Sequence, residues 1–365
     1  MPLIGASMSR DFADALLAWY RANRRDLPWR ATRDPYAIWV SEVMLQQTTV
    51  ATVRERWVRF LRRFPTVEAL AAAPEDAVTE EWRGLGYYAR ARNLRRAAQA
   101  VAREHGGAMP RAFGALRALP GLGDYTAAAV ASIAFGEPVA VFDANVRRVM
   151  ARLLAFDGEA DAPAAARRLR EETQRLLPRE DAGDFNQALM ELGATLCSPR
   201  APRCGECPVR AHCRAAAQGR AESYPRLRGK PPLARVTEGA AAIVRAGRVL
   251  VLRRAPEGSF ANMWELPRSA AHDGEEPRLA AERAARELAG IAVEAGDPEH
   301  LRRHTVMRSR IALHVCLAPA PPHGEPRLTP KHAEAAWLLP REWAARPCST
   351  TQHAVALWLE RRLAL

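Results

Sequence analysis

The run Leu119-Pro120-Gly121-Leu122-Gly123-Asp124-Tyr125-Thr126-Ala127 joins two stretches of helical spacing. Gly121 and Gly123 permit a tight turn and leave backbone N–H groups unobstructed where the chain enters the second helix. N–H groups that point out of a turn into a helix N-terminus bind phosphate and carry no base specificity. An isolated Gly-x-Gly would read as an ordinary capped αα-hairpin. The complete Leu-Pro-Gly-Leu-Gly-x-x-Thr-Ala run is much more specific. Outward from it, helical patterns cover Asp11–Tyr20, Thr49–Phe60, Asp76–Trp82, Ala89–Arg103, Tyr125–Phe135, Asn145–Leu154, Ala164–Leu177 and Asp184–Leu196, with Gly and Pro between them. An all-α domain over residues 1–225 follows.

Residues 226–235 read as a basic linker, semi-stiff at its prolines. Beyond it the period changes. Ala240–Val244 and Val249–Arg253 read as a hairpin, Pro277–Gly290 as a helix, Arg310–Leu317 as a strand and Thr351–Leu363 as a final helix. Residues 236–365 are therefore an α+β domain. The 365-residue length agrees with two domains. With 48% apolar and 26% charged residues, the composition excludes a disordered chain, a collagen-like chain and a disulfide-stapled miniprotein. No 18 apolar residues run without a charge, so no membrane span is expected. Met1–Arg10 shows no secretory leader, and a cytoplasmic protein is expected.

The net charge of +13 favours a polyanionic partner. Only Lys230 and Lys331 are lysines, however, and Ala is abundant, so compositional bias accounts for part of that charge. Cysteine placement says more. Cys197, Cys204, Cys207 and Cys213 follow a Cys-x6-Cys-x2-Cys-x5-Cys spacing. Four thiolates on one compact loop suit a tetrahedral zinc or an iron–sulfur cluster. With one close Cys-x2-Cys pair and a proline-rich loop, the pattern leans slightly to [4Fe–4S].

Two carboxylates stand out. Asp143 precedes a helix, where Asp is a favoured N-cap that the helix dipole keeps oriented. Glu42 has Ile38, Trp39 and Leu45 as helical neighbours. A carboxyl against such a face is desolvated, which raises its pKa and suits it to proton donation. Each also has a plain structural reading, as a cap and as a stripe-edge glutamate.

Taken together, the motifs resemble the helix-hairpin-helix DNA glycosylases, and within them the adenine DNA glycosylase family. The matching strings are Leu27-Pro28-Trp29-Arg30, Ser41 to Thr48, Gly84 to Leu94, the hairpin, Asp143-Ala144-Asn145-Val146, Phe185-Asn186-Gln187-Ala188 and the four cysteines. The resemblance implies a two-lobed helical domain. A six-helix barrel over about 30–136 would face a [4Fe–4S] lobe formed by about 1–29 and 137–225. It implies one such cluster on Cys197, Cys204, Cys207 and Cys213, and duplex DNA bound by a monomer.

The implied substrate is adenine opposite 8-oxoguanine or guanine. Glu42 would be the acid, Asp143 the carboxylate facing the sugar cation, and Asn145 a water-organising partner. Tyr125 would position the flipped base. Gln47, Thr48, Leu85 and Tyr87 match positions that fill or read the gap, while Arg25, Trp29, Arg30 and Glu191 match the adenine pocket. Tyr125 stands where bifunctional relatives carry a lysine, so efficient strand nicking is not expected.

Residues 236–365 resemble the Nudix-like lesion-recognition domain of the same family, on Val249 to Arg254 and Trp264-Glu265-Leu266-Pro267. In Arg286-Glu287-Leu288-Ala289-Gly290-Ile291 two metal-binding glutamates are replaced, so pyrophosphate hydrolysis is not expected. Val306, Met307, Arg308 and Ser309 stand where the family places its 8-oxoguanine-touching loop, but with different residues. Two other readings remain: a pyrimidine-directed glycosylase, and a non-catalytic damage binder with an iron–sulfur loop.

Overall fold

The computed structural model describes residues 6–229, 232–322 and 324–364. Lys230 and Pro231 of the basic stretch lie outside the described residues. The chain forms two compact units, residues 1–75 with 90–230 and residues 76–89 with 231–365.

The first unit is helical, and two buried helices organise it. Pro35–Leu45 begins with Asp34, whose side chain accepts from the N–H groups of Tyr36 and Ala37, and has Pro35 at its first position. Every residue from Tyr36 to Met44 is buried. A helix that is apolar all round must lie inside its domain. Asp124–Phe135 is the second, buried from Thr126 to Ile133 and closed by Gly136 in the left-handed conformation. The two pack against each other.

Asp124–Phe135 also packs on Ala182–Thr195, which in turn contacts Ala6–Asn23 and Ala144–Leu153. That approach is close: a Cβ on Gly183 would meet Ser132 O at 2.6 Å. Two helix groups thus share the Asp124–Phe135 helix as their seam. Among the described residues, no helix is long and apolar enough to cross a membrane.

The second unit is built on a mixed seven-stranded sheet: β1 (Ala234–Arg245), β2 (Arg248–Arg254), β3 (Trp264–Glu265), β4 (Arg268–Ala270), β5 (Pro298–Val306), β6 (Ser309–Pro319) and β7 (His332–Leu338). The main order is β3-β2-β1-β6-β5, with β4 paired to β1 and β7 to β2. β1 and β6 run parallel and the remaining pairs are antiparallel. Helices Pro340–Ala345 and Thr350–Leu363 cover one face through Trp343, Val355 and Leu359. Helix Pro277–Ala289 covers part of the other through Ala281 and Ala285.

Two sequence expectations need correction, the linker at both its ends and the place of residues 76–89. β1 starts at Ala234, inside the segment read as linker, because eleven registered pairs with β6 hold a polar, exposed stretch in the sheet. The start of that segment is docked, with Ala160 N–H donating to Arg226 O and Arg228 N–H to Asp161. Residues 76–89, read as part of the helical domain, group with the second unit. There Arg83 donates to Ala344 O and Ala345 O, and Tyr88 to Cys348 O.

Candidate active site

Glu42 and Tyr125 meet because their helices are the packed central pair. The Tyr125 hydroxyl donates to Glu42 Oε2 at 2.6 Å and lies 3.2 Å from Met190 Sδ. Glu42 is 5% exposed. Burial pushes its carboxyl up to about 7; the Tyr125 hydrogen bond and Arg30 pull it down, and Asp143 pushes it up. Burial and the neighbouring carboxylates hold the Tyr125 phenol protonated, well above its ordinary range.

Asp143 caps helix Ala144–Leu153 and is fixed by two donors: Val146 N–H at 2.7 Å on Oδ1 and Asn145 Nδ2 at 3.0 Å on Oδ2. Asn145 is held in turn by the Arg148 guanidinium, which donates to Asn145 Oδ1, Gly193 O and Cys197 O. A Cβ on Gly193 would meet Asn145 Cβ at 2.7 Å, so only glycine lets helix Ala182–Thr195 seat against this corner.

A second charged group adjoins the acid. Glu191 is buried and accepts from Arg25 N–H, Nε and Nη2 and from Arg30 Nη2. Burial would raise its pKa, but the two guanidiniums hold it at about 2. Trp29 is buried edge-on to Trp57, with ring centroids 6.1 Å apart.

At the end of helix Pro35–Leu45, Arg90 donates to the carbonyls of Val43, Met44 and Gln46 and to Thr48 Oγ1. This satisfies carbonyls that a helix C-terminus leaves open. Gln47 follows, exposed, with φ +58°. In the hairpin, Gly121 has φ +77° and a Cβ there would strike Asn93 Cβ at 2.5 Å. Gly123 has φ −82°, and a Cβ there would meet open space. The fold therefore requires glycine at 121 and not at 123, where a bare backbone leaves the uncapped helix start accessible.

Cys197, Cys204, Cys207 and Cys213 line one cavity with Arg152, Arg203 and Arg210. All four are free thiols. Burial pushes Cys207 up to about 11, with the other three cysteines adding to the effect. Arg152, fully buried, donates to Cys197 Sγ at 3.2 Å and to the Ser198 and Pro199 carbonyls. Four soft ligands around one cavity, no acidic residue in the lining and guanidiniums beside it fit the chemistry of an anionic thiolate-bound metal centre, although among the described residues no three of them are grouped as closely as a bound metal ion requires.

Leu85, Tyr87 and residues 306–309 belong to the second unit. Leu85 is buried, while Tyr87 is 54% exposed with φ +48°. Val306 pairs with Ser309 across a two-residue turn whose Met307 is 78% exposed at φ +51°. On helix Pro277–Ala289, Glu287 pairs with Arg283, which also binds Glu275. Sequence reasoning missed Arg90, Arg148, Arg152 and Met190. In a chain this rich in arginine, no pattern separates a buried guanidinium from a solvated one.

Residues 40–175 match the family model of the HhH-GPD superfamily base excision DNA repair proteins, and residues 239–356 match that of the NUDIX domain. Among solved structures, a thermostable thymine-DNA glycosylase aligns with TM-score 0.53 and 32% identity over 58% of this chain and 98% of its own. An endonuclease III–DNA complex aligns at 0.50 and 25% over 59% and 98%. The helical unit thus has the endonuclease III-like fold of base excision repair, followed by a Nudix-like domain.

The chain is 44% identical over 243 residues to the adenine DNA glycosylase of Mycobacterium tuberculosis, covering 66% of this chain and 78% of that protein. It is 46% identical over 213 residues to the human adenine DNA glycosylase, covering 56% and 39%. It belongs to the adenine DNA glycosylase family. The match spans less than half the length of the human and mouse relatives.

Proposed function

We propose that the chain is a monofunctional DNA glycosylase that removes adenine mispaired with 8-oxoguanine or guanine. The observation that carries this reading is the buried Glu42–Tyr125 pair beside the doubly anchored Asp143. Adenine anion is a poor leaving group, so breaking its bond to the sugar needs a proton. With its pKa raised to about 7, Glu42 retains a substantial neutral fraction near pH 7 and donates that proton to adenine N7. The sugar becomes an oxocarbenium-like cation. Asp143, immobilised by Val146 and Asn145, faces that charge without having to reorganise. Water then adds to the sugar cation and gives its proton to the Glu42 carboxylate, which leaves free adenine and an abasic site. Extruding the base beforehand costs about a few kcal/mol. The Arg25–Glu191–Arg30 group lines the pocket that receives it.

The four cysteines would hold one [4Fe–4S] cluster, which when bound ties their loop together as a structural unit. Arg148 extends from the Cys197 carbonyl to Asn145, so the order of that loop reaches the Asp143 corner. The Val306–Ser309 turn would read the base opposite adenine, and the chain would act on DNA in the cytoplasm.

The test is adenine release from duplexes with adenine opposite 8-oxoguanine, guanine or thymine, and release of thymine or cytosine from mispairs. Release of adenine opposite the first two is expected. Pyrimidine release alone, or no release at micromolar enzyme, would overturn the reading. Tyr125→Phe gives a finer check. The lost hydroxyl lowers the Glu42 pKa in the native protein, so the alkaline fall of the single-turnover rate should move to higher pH in the variant. A limb that stays put or moves down would contradict the assignment of Glu42 as the acid.

A further inference from the structure

Helix Pro35–Leu45 carries Glu42 in its last turn, and the helix does not close that end by itself. Its C-cap, Gln46, has φ −60° and ψ 112°. Helix Asp124–Phe135, in contrast, ends on the left-handed Gly136, whose N–H returns to the Ala131 and Ser132 carbonyls. After Gln46, Thr48 N–H reaches back to Leu45 O at a long 3.4 Å. Gln47 between them has φ +58°, a left-handed conformation that is costly for a residue with a Cβ. A strained turn of this kind persists where its surroundings hold it.

Arg90, in the same unit, spans this turn. Its Nη1 donates to Val43 O at 2.7 Å, to Met44 O at 3.1 Å and to Gln46 O, and its Nη2 donates to Thr48 Oγ1 at 3.3 Å. One guanidinium thus grips the two residues that follow Glu42 and both flanks of Gln47. The turn is tied on another side as well: Gln46 Nε2 donates to Thr126 Oγ1 at 3.0 Å, beside the Tyr125 whose hydroxyl binds Glu42. The helix that carries Arg90 does not favour this placement. Arg90 is the second residue of Ala89–Glu104, which has no acid in its first turn, and a cation at a helix start opposes the dipole. The same charge stands at the carbonyl end of Pro35–Leu45, where the dipole favours it.

We propose that Arg90 is a positioning residue for the proton donor: by locking the end of helix Pro35–Leu45 to the Gln46–Thr48 turn, it fixes the point from which Glu42 delivers its proton. A general acid works within hydrogen-bond reach of the atom it protonates. A frayed last turn moves the carboxyl out of that reach without emptying the pocket or removing charge from the DNA-facing surface. Lysine cannot replace Arg90 here, because an ammonium is a compact point charge, whereas these contacts fan out from a planar fork. The proposal rests on the reading of Glu42 as the acid, and the experiment separates the two.

The experiment uses the full chain, purified with its metal centre. It measures single-turnover adenine release at saturating protein from a duplex with adenine opposite 8-oxoguanine, the affinity for that duplex, and amide hydrogen exchange of the DNA-free protein. Arg90→Lys should release adenine about 10²-fold more slowly, the scale of a catalytic group displaced by about an ångström. Its duplex affinity and the salt dependence of binding should stay at the wild-type values, and the amides of residues 46–48 should exchange faster. In Arg90→Ala, added ethylguanidinium should recover about tenfold of the rate and ethylammonium none. Arg90→Lys, which keeps the charge and the alkyl stem, carries the test should the alanine variant not fold. Arg103→Lys, an exposed arginine on the same helix paired with Glu104, should change nothing. A wild-type rate in Arg90→Lys, a slower rate with unchanged exchange, or equal rescue by the two cations would overturn the proposal. So would a loss confined to affinity and its salt dependence, which would make Arg90 a phosphate contact. Faster exchange in Arg90→Lys beside a wild-type chain that releases no adenine would overturn the proposed function instead and leave the lock on the turn standing.

Discussion

Asp143→Asn is expected to lower the single-turnover rate of adenine release by about 10³-fold or more while leaving duplex affinity within a few-fold. Asparagine is as good an N-cap as aspartate, so the helix Ala144–Leu153 keeps its start. It offers one oxygen where the carboxylate offers two. One of the donors now satisfied, Val146 N–H or Asn145 Nδ2, then loses its partner. That costs about 1 kcal/mol of stability, which a urea denaturation curve would register. The negative charge that faces the sugar cation is gone altogether. A variant that still excises adenine within tenfold of wild type would remove Asp143 from the chemistry and leave it as a helix cap.

Glu42→Gln is expected to cost about 10² to 10⁴ in rate and, in contrast to Asp143→Asn, to stabilise the fold at alkaline pH. The sign follows from linkage. Glu42 titrates at about 7 in the native protein against 4.5 in its ordinary setting. Its contribution to stability is fully present below about 4.5 and is lost as pH rises through about 7. The difference amounts to roughly 3 kcal/mol. Glutamine fills the same space, can still accept from Tyr125 and has no charge to desolvate. Thermal unfolding of the two proteins should therefore nearly coincide at pH 5 and diverge by pH 8, with the variant more stable. Melting curves that run parallel across that range would mean that Glu42 is not the buried, neutral acid described here.

These effects arise where a short sequence pattern and its three-dimensional setting coincide. The burial of Glu42 was half legible: Ile38, Trp39 and Leu45 adjoin it on any helix, but a glutamate at the edge of that stripe could equally have reached water. The four cysteines were legible from spacing, and the Gly121 turn from a run that only a left-handed glycine closes. The fixing of Asp143 was half legible. Its cap could be read from the helix start, but the Asn145–Arg148–Cys197 chain depends on helices Ala144–Leu153 and Ala182–Thr195 meeting at Gly193.

The sheet was harder to read. β5 carries Glu299, His300, Arg302, Arg303 and His304 and lies at an edge, where charge protects against pairing with other chains and erases the apolar alternation that marks a strand. β7 is likewise only partly buried. Residues 76–89 have a helical pattern compatible with either unit, and only the contacts of Arg83 and Tyr88 decide their place.

The most direct measurement is a crystal structure of the Asp143→Asn chain with a duplex holding adenine opposite 8-oxoguanine. An extruded adenosine is expected, with the Glu42 carboxyl at hydrogen-bond distance from N7 and the residue 143 side chain against the sugar carbon that bears the base. An adenine left in the helical stack, or one lodged where only one of those two side chains reaches it, would contradict the claim that an acid and a carboxylate converge on one nucleoside.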